Sequence, residues 1–286
     1  MDPMRHTTQS KKTEIESELA TVSTELLSGK RLLITGVATE DSIAFATARR
    51  AGAMGAEVVL TAYPRDVENV RQLVSDTGSP LDVFPLDLTQ RSAVDELTET
   101  LRSRFGAFDG ALHAVAFAPK DALDGPFMDA DPDGIELAFR TSAWSLSNLA
   151  RLVVALAPGG GASLVGLDFD ANGGAWPVYN WMGVCKAALG STARYLARDL
   201  GPKGIRVNLV AAGPLLTRAA RGIPRFDALL HAWATTSPLA WSDSDPAPVA
   251  DSVCFLLSDL ARAITGEVLH VDGGYHAMAA PRHLNG

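Results

Sequence analysis

Tyr179 and Lys186 are the first residues of this chain whose types and spacing point to chemistry. They stand seven apart within Pro177 to Leu200, a stretch whose pattern reads as a helix. At about 3.6 residues per turn, positions i and i+7 share a face, two turns apart. A phenol and an ammonium on one face can reach the same bound molecule. The ammonium can hold sugar hydroxyls and, through its charge, make the phenol a better proton donor to a carbonyl oxygen. The pair alone does not decide between that role and a Tyr half in the core beside a solvated Lys. Its surroundings do.

Those surroundings are repeating β-α units from Gly29 onward. Apolar runs of β type lie at Arg31–Thr35, Glu57–Ala62, Leu81–Leu86, Gly110–Val115, Ala162–Leu167, Arg206–Ala211 and Glu267–Val271. Helical periodicity fills Ser42–Met54, Val67–Val74, Arg91–Arg104, Gly134–Leu156, Pro177–Leu200, Phe226–Thr235 and Pro246–Ser258. Strands alternating with helices imply an α/β fold: one doubly wound domain, its seven-stranded parallel sheet covered on both faces. The segment before it, residues 1–28, is polar and mixed in charge, and is expected to be a mobile tail. Ile15, Leu19 and Val22 allow a short helix there.

Composition narrows the function classes. The 286 residues are 47% hydrophobic and carry a net charge of -8, with no Lys/Arg-rich run. That balance gives no electrostatic support for nucleic-acid or anionic-membrane binding. There is no apolar run of bilayer length, and the N-terminus lacks the apolar stretch of a secretory signal. A cytoplasmic protein is the expectation. Cys185 and Cys254 sit in apolar helical patterns and read as buried thiols, with no disulfide framework and no metal site.

In open parallel sheets, ligands bind at the carboxyl ends of the strands. The first strand ends in Thr35-Gly36, and Ser42-Ile43-Ala44 opens the following helix. A tight turn at Gly36 lets backbone approach a pyrophosphate at that helix N-terminus. Only Gly36 of a three-glycine fingerprint is clear; Ser42 and Ala44 stand where further glycines would be. The second strand ends at Tyr63-Pro64-Arg65, without the acid that usually selects NAD. Tyr63 can pack on adenine, and Arg65 can lie over it or meet a phosphate. Asp87, before Leu88, can accept from the adenine amino group or cap the next helix. Ala114 and Ala116, ahead of Phe117, let backbone lie beside the adenosine ribose. At the other end of the sheet Gly213-Pro214-Leu215-Leu216-Thr217 turns the chain across the nicotinamide site. Thr217 can bond to the pyrophosphate or the carboxamide. Phe226, Leu229, Leu230 and Trp233 then form an apolar stripe at i, i+3, i+4, i+7, either core or a lid over an apolar substrate.

Thr35-Gly36 with Ser42-Ile43-Ala44, the Tyr179–Lys186 spacing, Asn208–Pro214 and Val271-Asp272-Gly273-Gly274 resemble the enoyl-acyl-carrier-protein reductases of the short-chain dehydrogenase/reductase superfamily. The resemblance runs from Gly29 to about Ala279. Ordinary short-chain dehydrogenases space the Tyr and Lys four apart and place a Ser thirteen before the Tyr; here the spacing is seven and that position is Gly166. Val165–Asp170 and Tyr179–Met182 look most similar to the mycobacterial-type, long-chain subgroup, in which a Phe, here Phe169, replaces a second Tyr. Ala175-Trp176 and a short loop from Thr217 to Pro238 depart from that subgroup. The resemblance implies reduction of a trans-2-enoyl thioester, on acyl carrier protein or CoA, by NADH rather than NADPH. Tyr179, Lys186 and Phe169 would be the catalytic residues. Phe117, Met182, Leu216, Phe226, Leu230 and Trp233 would line the substrate pocket. A homotetramer is implied by analogy. The competing readings are a 3-ketoacyl-type carbonyl reductase and a non-catalytic dinucleotide sensor.

Overall fold

The computed structural model describes residues 25–78, 81–169, 174–176 and 178–280. The helix expected around Ile15, Leu19 and Val22, most of the expected tail, Asp170 and Pro177 lie outside the described residues.

Seven strands form one parallel sheet: β1 (Arg31–Ile34), β2 (Glu57–Ala62), β3 (Asp82–Pro85), β4 (Gly110–His113), β5 (Ala162–Asp168), β6 (Ile205–Ala212) and β7 (Val268–Val271). Their order is β3-β2-β1-β4-β5-β6-β7, every pair parallel. The chain winds outward from β1 in one direction and then, after β3, from β4 in the other. The switch point lies between β1 and β4, where Leu32 pairs with Gly110 and Ile34 with Leu112. In open parallel sheets the ligand crevice lies at such a point, outside the carboxyl ends of the strands.

Helices α1 (Ile43–Ala53), α2 (Val67–Asp76) and α8 (Ala247–Leu257) cover one face, with Phe45, Val70 and Val253 buried against Leu32, Leu60 and Val210. Helices α3 (Arg91–Phe105), α5 (Ser145–Leu156) and α6 (Asn180–Leu200) cover the other, with Leu101, Leu149 and Leu189 against Leu33, Leu164 and Leu209. A sheet buried on both sides explains the near-continuous apolar strands of the sequence. Leu27, within the segment expected as tail, is fully buried in the first of these layers, and its amide donates to the Met54 carbonyl at 2.9 Å. Burying such a side chain contributes roughly 1.5–3 kcal/mol.

Two helices differ from their expected form, both beside the crevice. Gly134–Leu156 was expected as one uninterrupted helix. It consists of α4 (Pro132–Phe139), a π-helical turn over Arg140–Trp144, and α5. The wider turn brings Ser142 inward, where its hydroxyl donates to the Phe117 carbonyl and accepts from the Phe117 amide, both at 3.0 Å. It thereby fixes the chain leaving β4. The helix expected from Pro177 starts instead at Asn180, whose φ of 31° lies in the left-handed region that Asn tolerates. Tyr179 therefore stands at the cap, with its carbonyl accepting the first helical bond, from the Gly183 amide at 3.2 Å.

Candidate active site

Because Tyr179 is the cap of α6, the i, i+7 face argument holds only in outcome. Tyr179 and Lys186 each lie close enough to Asp168, at the end of β5, to feel its charge. Both are buried. The Lys186 ammonium donates to the Leu167 carbonyl at 2.8 Å. An ammonium has three donors, so that contact leaves hydrogens for another acceptor. Burial pulls Lys186 below its usual range, and the carboxylate of Asp168 acts in the opposite direction. Burial also pushes the Tyr179 phenol well above its usual range, and Asp168 adds to that rise. The phenol is thus held protonated, in the form that donates.

Gly166, on β5, occupies the position where a serine hydroxyl would serve carbonyl chemistry. A Cβ there would lie 2.6 Å from a methyl of Leu209. The space for such a hydroxyl is already filled by the core.

A cluster of aromatic rings adjoins the phenol through Phe169. The Phe169 ring lies 4.8 Å from that of Tyr179, 5.1 Å from Trp176 and 5.5 Å from Trp233. Trp176 stacks on Trp233 at 5.0 Å, and Trp233 stacks on Tyr275 at 3.9 Å. Trp233 is held from behind by a bond from its indole N–H to the Asp272 carbonyl at 3.1 Å. A Cβ on Gly213 would come within 2.9 Å of that indole nitrogen and 2.7 Å of Trp241. Glycine is therefore required where the chain leaves β6.

Among the expected pocket residues, Met182 is buried in this cluster and Phe226 packs against it on α7 (Phe226–Thr236). Leu230 does not join it; its neighbour Leu229 does, being the residue of the stripe that α7 turns inward. Phe117 and Leu216 are exposed at the rim.

The dinucleotide end is built differently. Gly36 has φ 78°, and a Cβ there would stand 2.2 Å from the Ala114 carbonyl. This close approach brings the ends of β1 and β4 together at the switch point. Ser42 caps α1, accepting from the Phe45 amide at 3.2 Å and donating to the Thr39 carbonyl at 2.7 Å. The first-turn amides beyond it, at Ile43 and Ala44, have no intrahelical acceptor. Tyr63 is exposed beneath the Arg65 guanidinium, 5.2 Å from its ring centre. Asp87 is not the cap of α3; it accepts from the Thr89 amide at 2.9 Å and hydroxyl at 2.7 Å, while Gln90 holds the cap position. The Leu88 carbonyl is tied to Asn148 at 2.8 Å. Ala114 is half-buried, Ala116 is exposed, and Pro214 and Leu215 are buried behind Leu216. Thr217 accepts from the Ala220 amide at 3.2 Å, starting a turn. That turn is drawn over the crevice by Arg218, 3.2 Å from Asp66, and Arg221, 2.8 Å from Asp41. The donor amides at α1 and the buried, incompletely satisfied Lys186 ammonium fit a dinucleotide.

A family profile described as Enoyl-(Acyl carrier protein) reductase matches residues 36–276. The chain belongs to this family. An NADH-using enoyl-acyl-carrier-protein reductase of Mycolicibacterium smegmatis is 39% identical over 266 residues, 88% of this chain and 97% of its own. One from Bacillus cereus is 40% identical, over 89% of this chain and 99% of its own. Another from Aquifex aeolicus is 39% identical, over 88% and 93%. Those identities do not set the mycobacterial-type relative apart from the others.

Several residues around this candidate site escaped the sequence reading. Asp168 was visible only as a strand end. His113, fully buried on β4, bonds through Nε2 to Ser145 at 2.7 Å. Ser145 passes its own hydrogen to the Thr141 carbonyl at 2.6 Å, so the imidazole is the donor in the first bond. Tyr275 follows the Asp272-Gly273-Gly274 turn, which gave its only signal. Asp41, Asp66, Arg218 and Arg221 had none, because ion pairs across such sequence separations leave no local pattern.

Proposed function

We propose that this chain reduces trans-2-enoyl thioesters to saturated acyl thioesters with NADH. The observation that carries the reading is the buried Tyr179 and Lys186 at the strand ends of a chain matched along 36–276 by the enoyl reductase family. NADH, when bound, supplies the hydride for the β-carbon of the enoyl group. Tyr179 donates a hydrogen bond to the thioester oxygen, where negative charge grows in the transition state; one such donor contributes on the order of 2.7–4 kcal/mol. Lys186 holds the nicotinamide ribose through the hydrogens left beyond Leu167. Asp168 works against the effect of burial on the ammonium and favours its charged form. Phe169 covers the phenol and excludes water from it. The α-carbon takes its proton from water or Tyr179. The first-turn amides of α1, with Gly36, Ser42 and Ile43, seat the pyrophosphate, and Tyr63, Asp87 and Leu88 the adenosine. At the β2 end Arg65 and Arg218 both lie against the carboxylate of Asp66, which offsets their charge towards a 2′-phosphate and supports NADH over NADPH.

The acyl group arrives on acyl carrier protein or CoA. Among the described residues no helix is long and apolar enough to cross a membrane. A homotetramer is supported by exposed Phe139, Trp144, Val184 and Tyr195 on α4 through α6. The test is NADH absorbance with enoyl-CoA and enoyl-carrier-protein substrates, with the product identified by mass. Turnover to the saturated thioester is expected. No turnover at any chain length, or reduction of a 3-ketoacyl thioester instead, would reject the assignment.

A further inference from the structure

Asp41 stands one residue before the cap of α1, at the helix end read above as the pyrophosphate seat, and the Arg221 guanidinium lies 2.8 Å from its carboxylate. We propose that Arg221 is a positioning residue for the dinucleotide: by pairing with Asp41 it removes a competing negative charge from that seat. The inference rests on the reductase reading above, which brings a dinucleotide to this helix end.

A helix N-terminus carries about half a positive charge, spread over its first-turn amides. Asp41 is two residues before Ile43, the first of them, so the two Cα atoms are at most about 8 Å apart. That is within the Debye length of about 10 Å at 0.1 M salt. An unpaired carboxylate there draws on the same partial charge that a pyrophosphate would take, and repels the pyrophosphate as well. Glu40, beside it, is exposed, whereas Asp41 is half-buried and accepts from the Thr39 hydroxyl at 2.5 Å. Partial burial works against ionisation of Asp41, but the bonds from Thr39 and Arg221 outweigh it and hold the carboxyl below its usual range. The acid is therefore ionised at neutral pH, and a counter-charge is needed to cancel its field.

That counter-charge comes from the other half of the sheet. Arg221 follows β6 on a turn in which the Ala220 amide donates to the Thr217 hydroxyl at 3.2 Å and the Arg221 amide to the Thr217 carbonyl at 3.1 Å. Ala220 is buried, and Arg218 ties the same turn to the buried Asp66 at 3.2 Å. The guanidinium is thus presented to Asp41 by an anchored segment. A pair that only fastened the turn would lose NADH affinity alike when either partner is removed. A pair that acts by charge gives opposite results: removing the cation uncovers the anion, while removing the anion uncovers no repulsion.

The test is the calorimetric Kd of NADH for wild type, Arg221→Ala, Asp41→Asn and the double variant, at about 0.1 M and 1 M salt. Enoyl-CoA turnover by wild type is followed on the same preparation. Arg221→Ala should weaken NADH binding about fivefold at the lower salt, the effect of one unit charge a few ångströms away in water. The gap should shrink at the higher salt. Asp41→Asn should bind NADH as tightly as wild type or more tightly, and the double variant should return to within about twofold of wild type. Four results overturn the inference while leaving the reductase assignment standing: an Arg221→Ala Kd equal to wild type, equal weakening by the two single variants, a double variant as weak as Arg221→Ala, or a gap undiminished by salt. If wild type neither binds NADH nor turns over any thioester, the assignment falls, and the inference falls with it.

Discussion

The two ends of the crevice are built by opposite means. At the dinucleotide end the work is done by backbone and small side chains: Gly36 against the Ala114 carbonyl, Ser42 over the first turn of α1, Thr89 on Asp87. At the end proposed for the acyl group it is done by rings from separate segments, packed on one another. A site made of backbone cannot yield when an atom is added, because no rotamer can move the obstruction. A site made of side chains can be reshaped by exchanging one of them. Cofactor binding should therefore be brittle to substitution, and acyl preference plastic.

Gly36→Ala should have the largest effect on the dinucleotide end. The new methyl would meet a carbonyl oxygen at 2.2 Å with φ at 78°. The loss of stability should be about 3 kcal/mol, measured by denaturant unfolding, with NADH binding lost as well. A stable variant that binds NADH normally would show that the two strand ends are free to separate. Lys186→Ala follows. It removes charge-assisted hydrogen bonds worth roughly 2 kcal/mol, so NADH affinity by calorimetry should fall by more than tenfold. Unchanged affinity would mean that the buried ammonium serves the fold alone.

A third, smaller effect lies between the two ends. Burial, with the nearby Lys186 charge, pushes His113 down from 6.5 to about 3. Its folded value is depressed, so its stabilising contribution is complete above pH 6.5 and is lost as pH falls from 6.5 towards 3. By pH 5 the loss from this residue should be roughly 2 kcal/mol. Unfolding midpoints at the two pH values should differ less in His113→Asn than in wild type. An equal difference would assign the acid sensitivity to other groups.

What was legible in the sequence follows the same division. The β-α alternation gave the sheet, and β2 has the bounds its apolar run implied, because strands buried on both faces carry their signal in consecutive residues. The dinucleotide turn was also readable, since Thr35 to Ala44 is one short stretch. The π turn at Arg140–Trp144 was hidden: Ser142 looks like an ordinary polar break in an apolar helix, and only Phe117, far away in sequence, explains it. The late start of α6 was hidden as well, because helical periodicity does not report the backbone angles of Tyr179 and Asn180. The aromatic wall was seen one ring at a time, as a departure at Trp176 and a stripe ending in Trp233. Its members are joined only by the fold.

The phenol is where both ends meet, and Tyr179→Phe is the most direct test. NADH affinity and kcat should be measured on the same preparation. On the proposed reading Lys186 and the α1 turn hold the cofactor, so affinity should stay within about threefold of wild type, while kcat falls on the order of 100-fold to 1000-fold. A variant that turns over enoyl thioesters at the wild-type rate would contradict the role of Tyr179 in the chemistry.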